Sequence, residues 1–189
     1  MRQVKPKPPS VPLFLVTGAP GVGKTTLLPE LVRLGQGLVV IDLDELLEDG
    51  ALLGVPIAFP DAAPNWPAYN RMWDRIVHIV RRAGHPVLLL GPTPSPEEVA
   101  TTADQDGPVH WALLDCAEPL RRARLRTRGW PTEWIEDAVL DAAQTREFVP
   151  TVITTDDEDS EKLALRILSW ARTVDDSSAE ESARSRSAT

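Results

Sequence analysis

The sequence predicts an α/β domain, a five-stranded parallel sheet with helices covering both faces. Two observations carry that prediction. Short apolar runs rich in Val, Ile and Leu recur at residues 13–17, 38–41, 87–90, 109–115 and 151–155, each of strand length. Between them lie stretches with apolar residues at helical spacing, and strands that alternate with helices build parallel sheets. At 189 residues and 42% hydrophobic composition, the chain can bury one sizeable core.

Residues 1–10 are rich in Pro and Lys and read as a disordered leader to a domain over 11–174. The first strand, 13–17, enters a glycine-rich turn. A helix over 25–34 follows and ends at Gly35 and Gly37; Pro29 inside it is expected to kink or shorten it. The second strand, 38–41, opens onto Asp42-Leu43-Asp44-Glu45 and a helical turn through Leu47. Residues 50–67, dense in Gly, Pro and Ala, are expected to be irregular. Pro67 fits the first turn of a helix with Met72, Ile76, Ile79 and Val80 at helical spacing. The third strand, 87–90, closes at Gly91-Pro92, and Ser95 is placed to cap a short helix over 96–102. The fourth strand, 109–115, leads to an arginine-rich helix over 118–127, broken by Gly129 and Pro131. Thr132 is expected to cap the next helix, 132–148; the fifth strand is 151–155 and the last helix 161–173. Residues 175–189 have the Ser-, Ala- and charge-rich composition of a disordered tail.

A net charge of −8 argues against a general nucleic-acid binder, which would show a basic face. The single cysteine, Cys116, excludes an internal disulfide and fits a reducing compartment, so a cytoplasmic location is expected. It ends an apolar run, as a small buried side chain does. No apolar stretch is long enough to span a bilayer, and the first seven residues lack a signal peptide's apolar core. His78, His85 and His110 show no metal-ligand spacing.

One motif stands out. Gly18-Ala19-Pro20-Gly21-Val22-Gly23-Lys24-Thr25 matches G-x-x-x-x-G-K-[ST], the phosphate-binding P-loop, between a predicted strand and a predicted helix. Glycines at 18, 21 and 23 let successive amides turn inward, and the helix start adds its positive dipole end. Gly18, Ala19, Pro20, Gly21, Val22, Gly23, Lys24, Thr25 and Thr26 are the expected nucleotide contacts. Lys24 is expected to reach the β- and γ-phosphates, and the Thr25 hydroxyl to ligate Mg²⁺. ATP with Mg²⁺ is the expected cofactor pair.

Ligands of parallel α/β sheets bind at the carboxyl ends of the strands, where Asp42, Asp44, Gly91, Thr154 and Thr155 also fall. If strand geometry persists through Leu43, Asp42 and Asp44 face the crevice together; otherwise they cap a helix at residues 45–48. Arg121, Arg122, Arg124, Arg126 and Arg128 form either a solvated basic face or the entry to a lid over residues 124–134. Arg124 and Arg128, four apart on one helix face, are the first candidates for phosphate contact. Residues 50–75 are the expected acceptor region. There Phe59, Trp66, Tyr69 and Trp73 either stack on a ring, beside Asn70, Arg71 and Arg75, or pack a core. The acidic residues 156–159 either border a base or form a solvated turn.

The P-loop, the Asp-x-Asp after strand two and the arginine-rich helix after strand four resemble the P-loop small-molecule and nucleoside-monophosphate kinases. Shikimate kinase, gluconate kinase, chloramphenicol phosphotransferase and the polynucleotide 5′-hydroxyl kinases share this plan. Residues 115–128 look like the lid entry of bacterial kinase-like ATPases. The resemblance implies a three-layer P-loop NTPase fold with strand order 2-3-1-4-5. It also implies transfer of the ATP γ-phosphate to a small-molecule hydroxyl or nucleotide acceptor. By the same resemblance Asp42 belongs to the metal's water shell, Asp44 is the base, and Lys24, Arg124 and Arg128 are catalytic. Gly91-Pro92 departs from nucleotide kinases that carry Asp-Gly there, whereas glycines close this strand in shikimate kinase. The competing reading is a P-loop ATPase or switch acting on a protein partner. The lack of an Asn-Lys-x-Asp motif speaks against it. A small-molecule acceptor is the expected partner, with no membrane and no nucleic acid; the sequence sets no oligomeric state.

Overall fold

The computed structural model describes residues 10–187 apart from 59, 102, 157 and 158, with the backbone alone at 60 and 179–187. The expected leader, apart from Ser10, and Phe59 therefore lie outside the described residues. Strand β1 (Leu13–Thr17) passes through the glycine-rich loop into helix α1 (Lys24–Leu34). After β2 (Val39–Asp42) come a 3₁₀ turn (Leu43–Leu46), the hairpin strands β3 (Ala51–Leu52) and β4 (Val55–Pro56), and a second 3₁₀ segment (Pro60–Asn65). Then follow α2 (Trp66–Arg82), β5 (Val87–Gly91), α3 (Pro96–Val99), β6 (Val109–Asp115), α4 (Glu118–Thr127), α5 (Thr132–Phe148), β7 (Val152–Thr154) and α6 (Ser160–Ser187).

The parallel sheet has the order β2-β5-β1-β6-β7. Counted among its own five strands, this is 2-3-1-4-5. The chain numbering differs because the hairpin intervenes within residues 50–67, which the sequence predicts to be irregular. Two-residue strands leave no readable alternation, and Leu53-Gly54 turns with both φ angles positive, 49° and 81°.

Strand residues divide by parity, as a two-residue period demands. Phe14, Val16, Leu88, Leu90, Ala112 and Leu114 join Leu27 and Leu31 of α1 and Leu163, Ile167 and Leu168 of α6 in one core. Leu13, Val87, Leu89 and Val109 face the other way, onto Tyr69, Trp73 and Val77 of α2. The strands are apolar on both faces because helices cover both. All five carboxyl ends reach one edge, with Thr17 level with Gly91 and Leu113, and Asp115 with Thr154.

Several local expectations change. α1 keeps its full predicted length despite Pro29, which sits on an exposed side. Thr132 is the first residue of α5 and not its cap; the extended Pro131 (φ −57°, ψ 149°) takes the cap position and its carbonyl accepts from Ile135. α6 continues past residue 173 through a segment of disorder-like composition. The Ser177 and Ser178 hydroxyls donate back to the Thr173 and Val174 carbonyls, and Ser178 Oγ lies 3.4 Å from the His110 ring.

At the opposite edge of the sheet, α2 ends in a buried cation. Arg81 is 1% exposed, donates to the carbonyls of Val11 and Pro108, and pairs with Asp104. One guanidinium thus closes the start of β1 onto the turn before β6. Arg81→Ala leaves Asp104 and the half-buried Val11 carbonyl without that donor and should lower unfolding free energy by about 3 kcal/mol, measurable by urea denaturation.

Candidate functional site

The glycine-rich loop links the end of β1 to the start of α1, and its backbone explains its glycines. Gly21 and Gly23 take φ of 84° and 104°, the left-handed region that other residues resist. A Cβ on Gly18 would stand 2.8 Å from the Leu114 carbonyl oxygen and 2.9 Å from Val22 Cγ1. Gly23 then caps α1 by conformation, with no side-chain hydrogen bond. Thr25 and Thr26 lie exposed in the first turn of α1.

Lys24 is half-buried, and its ammonium donates to the Gly18 carbonyl. Burial lowers its pKa from 10.5 to about 8; Asp42 and Asp44 oppose that shift, while Arg121 and Arg128 add to it. The four charged groups therefore act on one ammonium, and the sequence-predicted Lys24, Asp42, Asp44 and Arg128 share one electrostatic neighbourhood.

Strand geometry does not persist through Leu43. The chain turns into the 3₁₀ segment, two residues earlier than the capping alternative expects and with Asp42 alone as cap: Asp42 Oδ1 accepts from the Asp44 amide, and Glu45 accepts from the Asp42 amide, both at 3.0 Å. Asp42 is 5% exposed, and burial raises its pKa; Asp44 is exposed. Capping and proximity to Lys24 coexist, so the tight turn brings both carboxylates to the loop by a route other than alternation. The Thr25 hydroxyl and the Asp42 carboxylate suit Mg²⁺, which takes one or two protein oxygens and fills its shell with phosphates and water. No cluster of three or more His, Cys, Asp or Glu side chains able to hold a metal occurs among the described residues.

The arginines of α4 separate by helical phase. Arg122 pairs with Glu118 and Glu136, while Arg126 and Arg128 are exposed. Arg124 reaches the loop, donating to the carbonyls of Gly21 and Val22 at 3.2 and 3.3 Å. Arg121 is 1% exposed and lies under the loop. The predicted break after α4 is a tight corner in which Gly129 (φ 73°) and Trp130 donate to the Arg126 and Leu125 carbonyls, and Trp130 packs against Leu125 and Ile135.

Between α1, α4 and the residues after β7 lies a cleft of about 460 Å³. Gly23, Thr26, Arg124, Arg128, Thr155 and Ser160 line it, so both chosen arginines face the same space. Thr155 is buried and donates from Oγ1 to the Val22 carbonyl at 3.0 Å. The acidic stretch is structural where described: Asp156 accepts from the Ala117 amide and Asp159 caps α6 at Lys162. Asp157 and Glu158 lie outside the described residues. In the expected acceptor region, Tyr69 and Trp73 are core residues 6.3 Å apart edge to face, and the Tyr69 hydroxyl bonds the Leu43 carbonyl. Trp66, 44% exposed, donates to the Ile57 carbonyl; Asn70, Arg71 and Arg75 are exposed. Cys116 is buried, and burial raises its thiol pKa. No helix among the described residues is long and apolar enough to cross a membrane.

No protein-family model matches the chain, and no curated protein matches it in sequence. Solved structures do match in fold. The Deinococcus radiodurans tunicamycin resistance protein superposes with a TM-score of 0.60 at 22% identity, covering 85% of this chain and 95% of that one. Shikimate kinase from Acinetobacter baumannii, solved with shikimate, gives 0.57 at 22% identity, covering 87% and 94%. A gluconokinase from Sinorhizobium meliloti 1021 gives 0.56 at 16% identity, covering 86% and 94%. The chain has the fold of P-loop kinase-like proteins.

The lowered Lys24 pKa also fixes a sign. A lysine with a folded pKa near 8 and an unfolded one near 10.5 opposes folding fully below pH 8, and that opposition fades as pH rises to 10.5. Lys24→Met also removes the donor to the Gly18 carbonyl, so the check is the pH dependence: its stability relative to wild type should be higher at pH 7 than at pH 10. Denaturant titrations at the two pH values check this.

Proposed function

We propose that the protein is an ATP-dependent phosphotransferase that moves the γ-phosphate of ATP·Mg²⁺ to a hydroxyl of a small molecule. The observation that carries this reading is the convergence on Lys24 of the glycine-rich loop: Asp42, Asp44 and Arg128 act on one ammonium, and its neighbour Gly23 and Arg128 line the cleft. Phosphoryl transfer requires positioning and charge stabilisation more than covalent chemistry, and this is the set of groups it uses. The loop amides and the start of α1 bind the phosphates, and Lys24 bridges the β- and γ-phosphate oxygens. The adenosine lies along the cleft toward Thr155 and Ser160. Arg124 and Arg128 balance charge from the α4 side. Thr25 would hold Mg²⁺, with Asp42 in its water shell, and the ion would supply positive charge against that of the phosphates. Asp44, exposed and acting on Lys24, takes the proton of the acceptor hydroxyl. The neighbours that act on small hydroxyl compounds support the choice of acceptor class.

ADP release from ATP·Mg²⁺, assayed against sugars, nucleosides, nucleoside monophosphates and antibiotic-type hydroxyl compounds, tests the proposal directly. A phosphorylated product from one of them is the expected result, and turnover indifferent to all of them would overturn it. Lys24→Ala should abolish turnover. Asp44→Asn should keep ADP affinity while slowing transfer about 10²–10⁴-fold. Because Lys24 must be charged to bind phosphate, ATP affinity should weaken as pH rises above about 8, and Lys24→Arg should flatten that dependence. Calorimetric titration between pH 7 and 9.5 reads both.

A further inference from the structure

An amide that faces into a phosphate-binding loop has the preceding residue's carbonyl facing out, because the two lie antiparallel across one planar trans peptide. Outward carbonyls at a buried loop need donors from the protein. Here every carbonyl from Gly18 to Val22 has a side-chain donor. Lys24 serves Gly18; Arg121 Nη1 serves Ala19 at 3.1 Å and Pro20 at 2.8 Å; Arg124 serves Gly21 and Val22; and Thr155 also serves Val22. Three of these donors already belong to the proposed site or line its cleft. Arg121 does not: it is 1% exposed, does not line the cleft, and cannot touch a nucleotide.

We infer that Arg121 is a positioning residue that holds the phosphate loop in its binding conformation from behind, with Asp115 as its orienting counter-charge. Arg121 Nη2 donates to Asp115 Oδ1 at 2.9 Å, and Arg146 Nε donates to the other oxygen, Oδ2, at 2.8 Å. Asp115 is 5% exposed, and two guanidinium groups engage both oxygens of this buried carboxylate and fix its plane. That leaves Arg121 Nη1 aimed at the Ala19 and Pro20 carbonyls. The Pro20 carbonyl shares its peptide with the Gly21 amide, and the adjacent Ala19 peptide has no amide proton because proline follows. A cation on the Pro20 oxygen therefore polarises the Gly21 N–H and fixes its direction. Gly21 packs directly on this support, since a Cβ there would lie 3.2 Å from Arg121 Cγ and 3.1 Å from Leu125 Cγ. The side chain thus acts on both the electrostatics and the path of the loop. This inference deepens the nucleotide-binding reading and rests on it for its ligand, while its effect on the loop is measurable without one.

Two variants separate positioning from mere stability. Arg121→Lys keeps a buried cation but loses the fork. The double variant Arg121→Met with Asp115→Leu replaces the buried pair by apolar groups of similar size, an exchange that often keeps or raises stability. Circular dichroism and thermal melts establish folding, calorimetry gives the affinity for ADP·Mg²⁺ and for inorganic tripolyphosphate, and ¹⁵N spectra of the ligand-free protein follow the Gly21 and Gly23 amides. We expect folded protein whose Gly21 and Gly23 signals move and whose affinity for both ligands falls about tenfold or more. If Arg121→Lys does not fold, the double variant gives the same reading. A folded variant with both amide signals unmoved and affinity within twofold of wild type would overturn the inference. Failure of the wild-type protein to bind ADP would instead overturn the nucleotide reading, and the amide signals would still decide the role of Arg121.

Discussion

The architecture of the loop depends on a requirement of the peptide unit: amides that converge on an anion leave carbonyls that must be satisfied behind them. Elements remote in sequence meet that requirement, α4 through Arg121 and Arg124 and the segment after β7 through Thr155. The sheet brings them within reach, because all five strands end at one edge and β6 and β7 follow β1 in spatial order. The α/β framework therefore does more than display a loop. It supplies the donors that give the loop its shape.

Charge is arranged with the same economy. The protein is acidic overall, yet its buried arginines lie where carbonyls collect, Arg81 at the start of the strands and Arg121 at their ends. Each is paired to one carboxylate, Asp104 or Asp115, and each links a helix to a turn of the sheet. Lys24 is the exception. Its ammonium is desolvated within the loop and only partly compensated by Asp42 and Asp44. A cation held at some free-energy cost without its ligand is one whose charge is available for the ligand, a common tension between stability and function.

Much of the fold was legible because its signals are local. Five apolar runs give five strands, and Gly18 to Thr25 mark the loop by spacing alone. The break after α4 was legible from Gly129 and Pro131, and the cap of α3 from Ser95 and Glu98. What sequence reasoning missed was non-local. Arg121 looks like its neighbours in a basic run, and its only hint is that it lies four residues from Leu125, on the buried side of α4. Thr155 was placed at a strand end with no sign that it would reach Val22. The hairpin β3–β4 was missed because two-residue strands have no period. Asp42 and Asp44 act on Lys24 from a capped turn, where the sequence suggests continued strand geometry as one route. For the aromatic residues of α2 the two readings divide, with Tyr69 and Trp73 in the core and Trp66 at the surface.

The distribution of the loop's donors also bears on the order in which the molecule can be assembled. Its eight-residue motif is contiguous, but Arg121 lies 102 positions from Ala19 and Thr155 lies 133 positions from Val22. During vectorial synthesis the motif emerges early, while its supports emerge only after β6, α4 and β7 have been made. A nascent chain that already contains every motif residue thus lacks the groups that orient four of the five loop carbonyls. The loop's supported shape is thus a late property of the folding chain, one that reports closure of nearly the whole sheet.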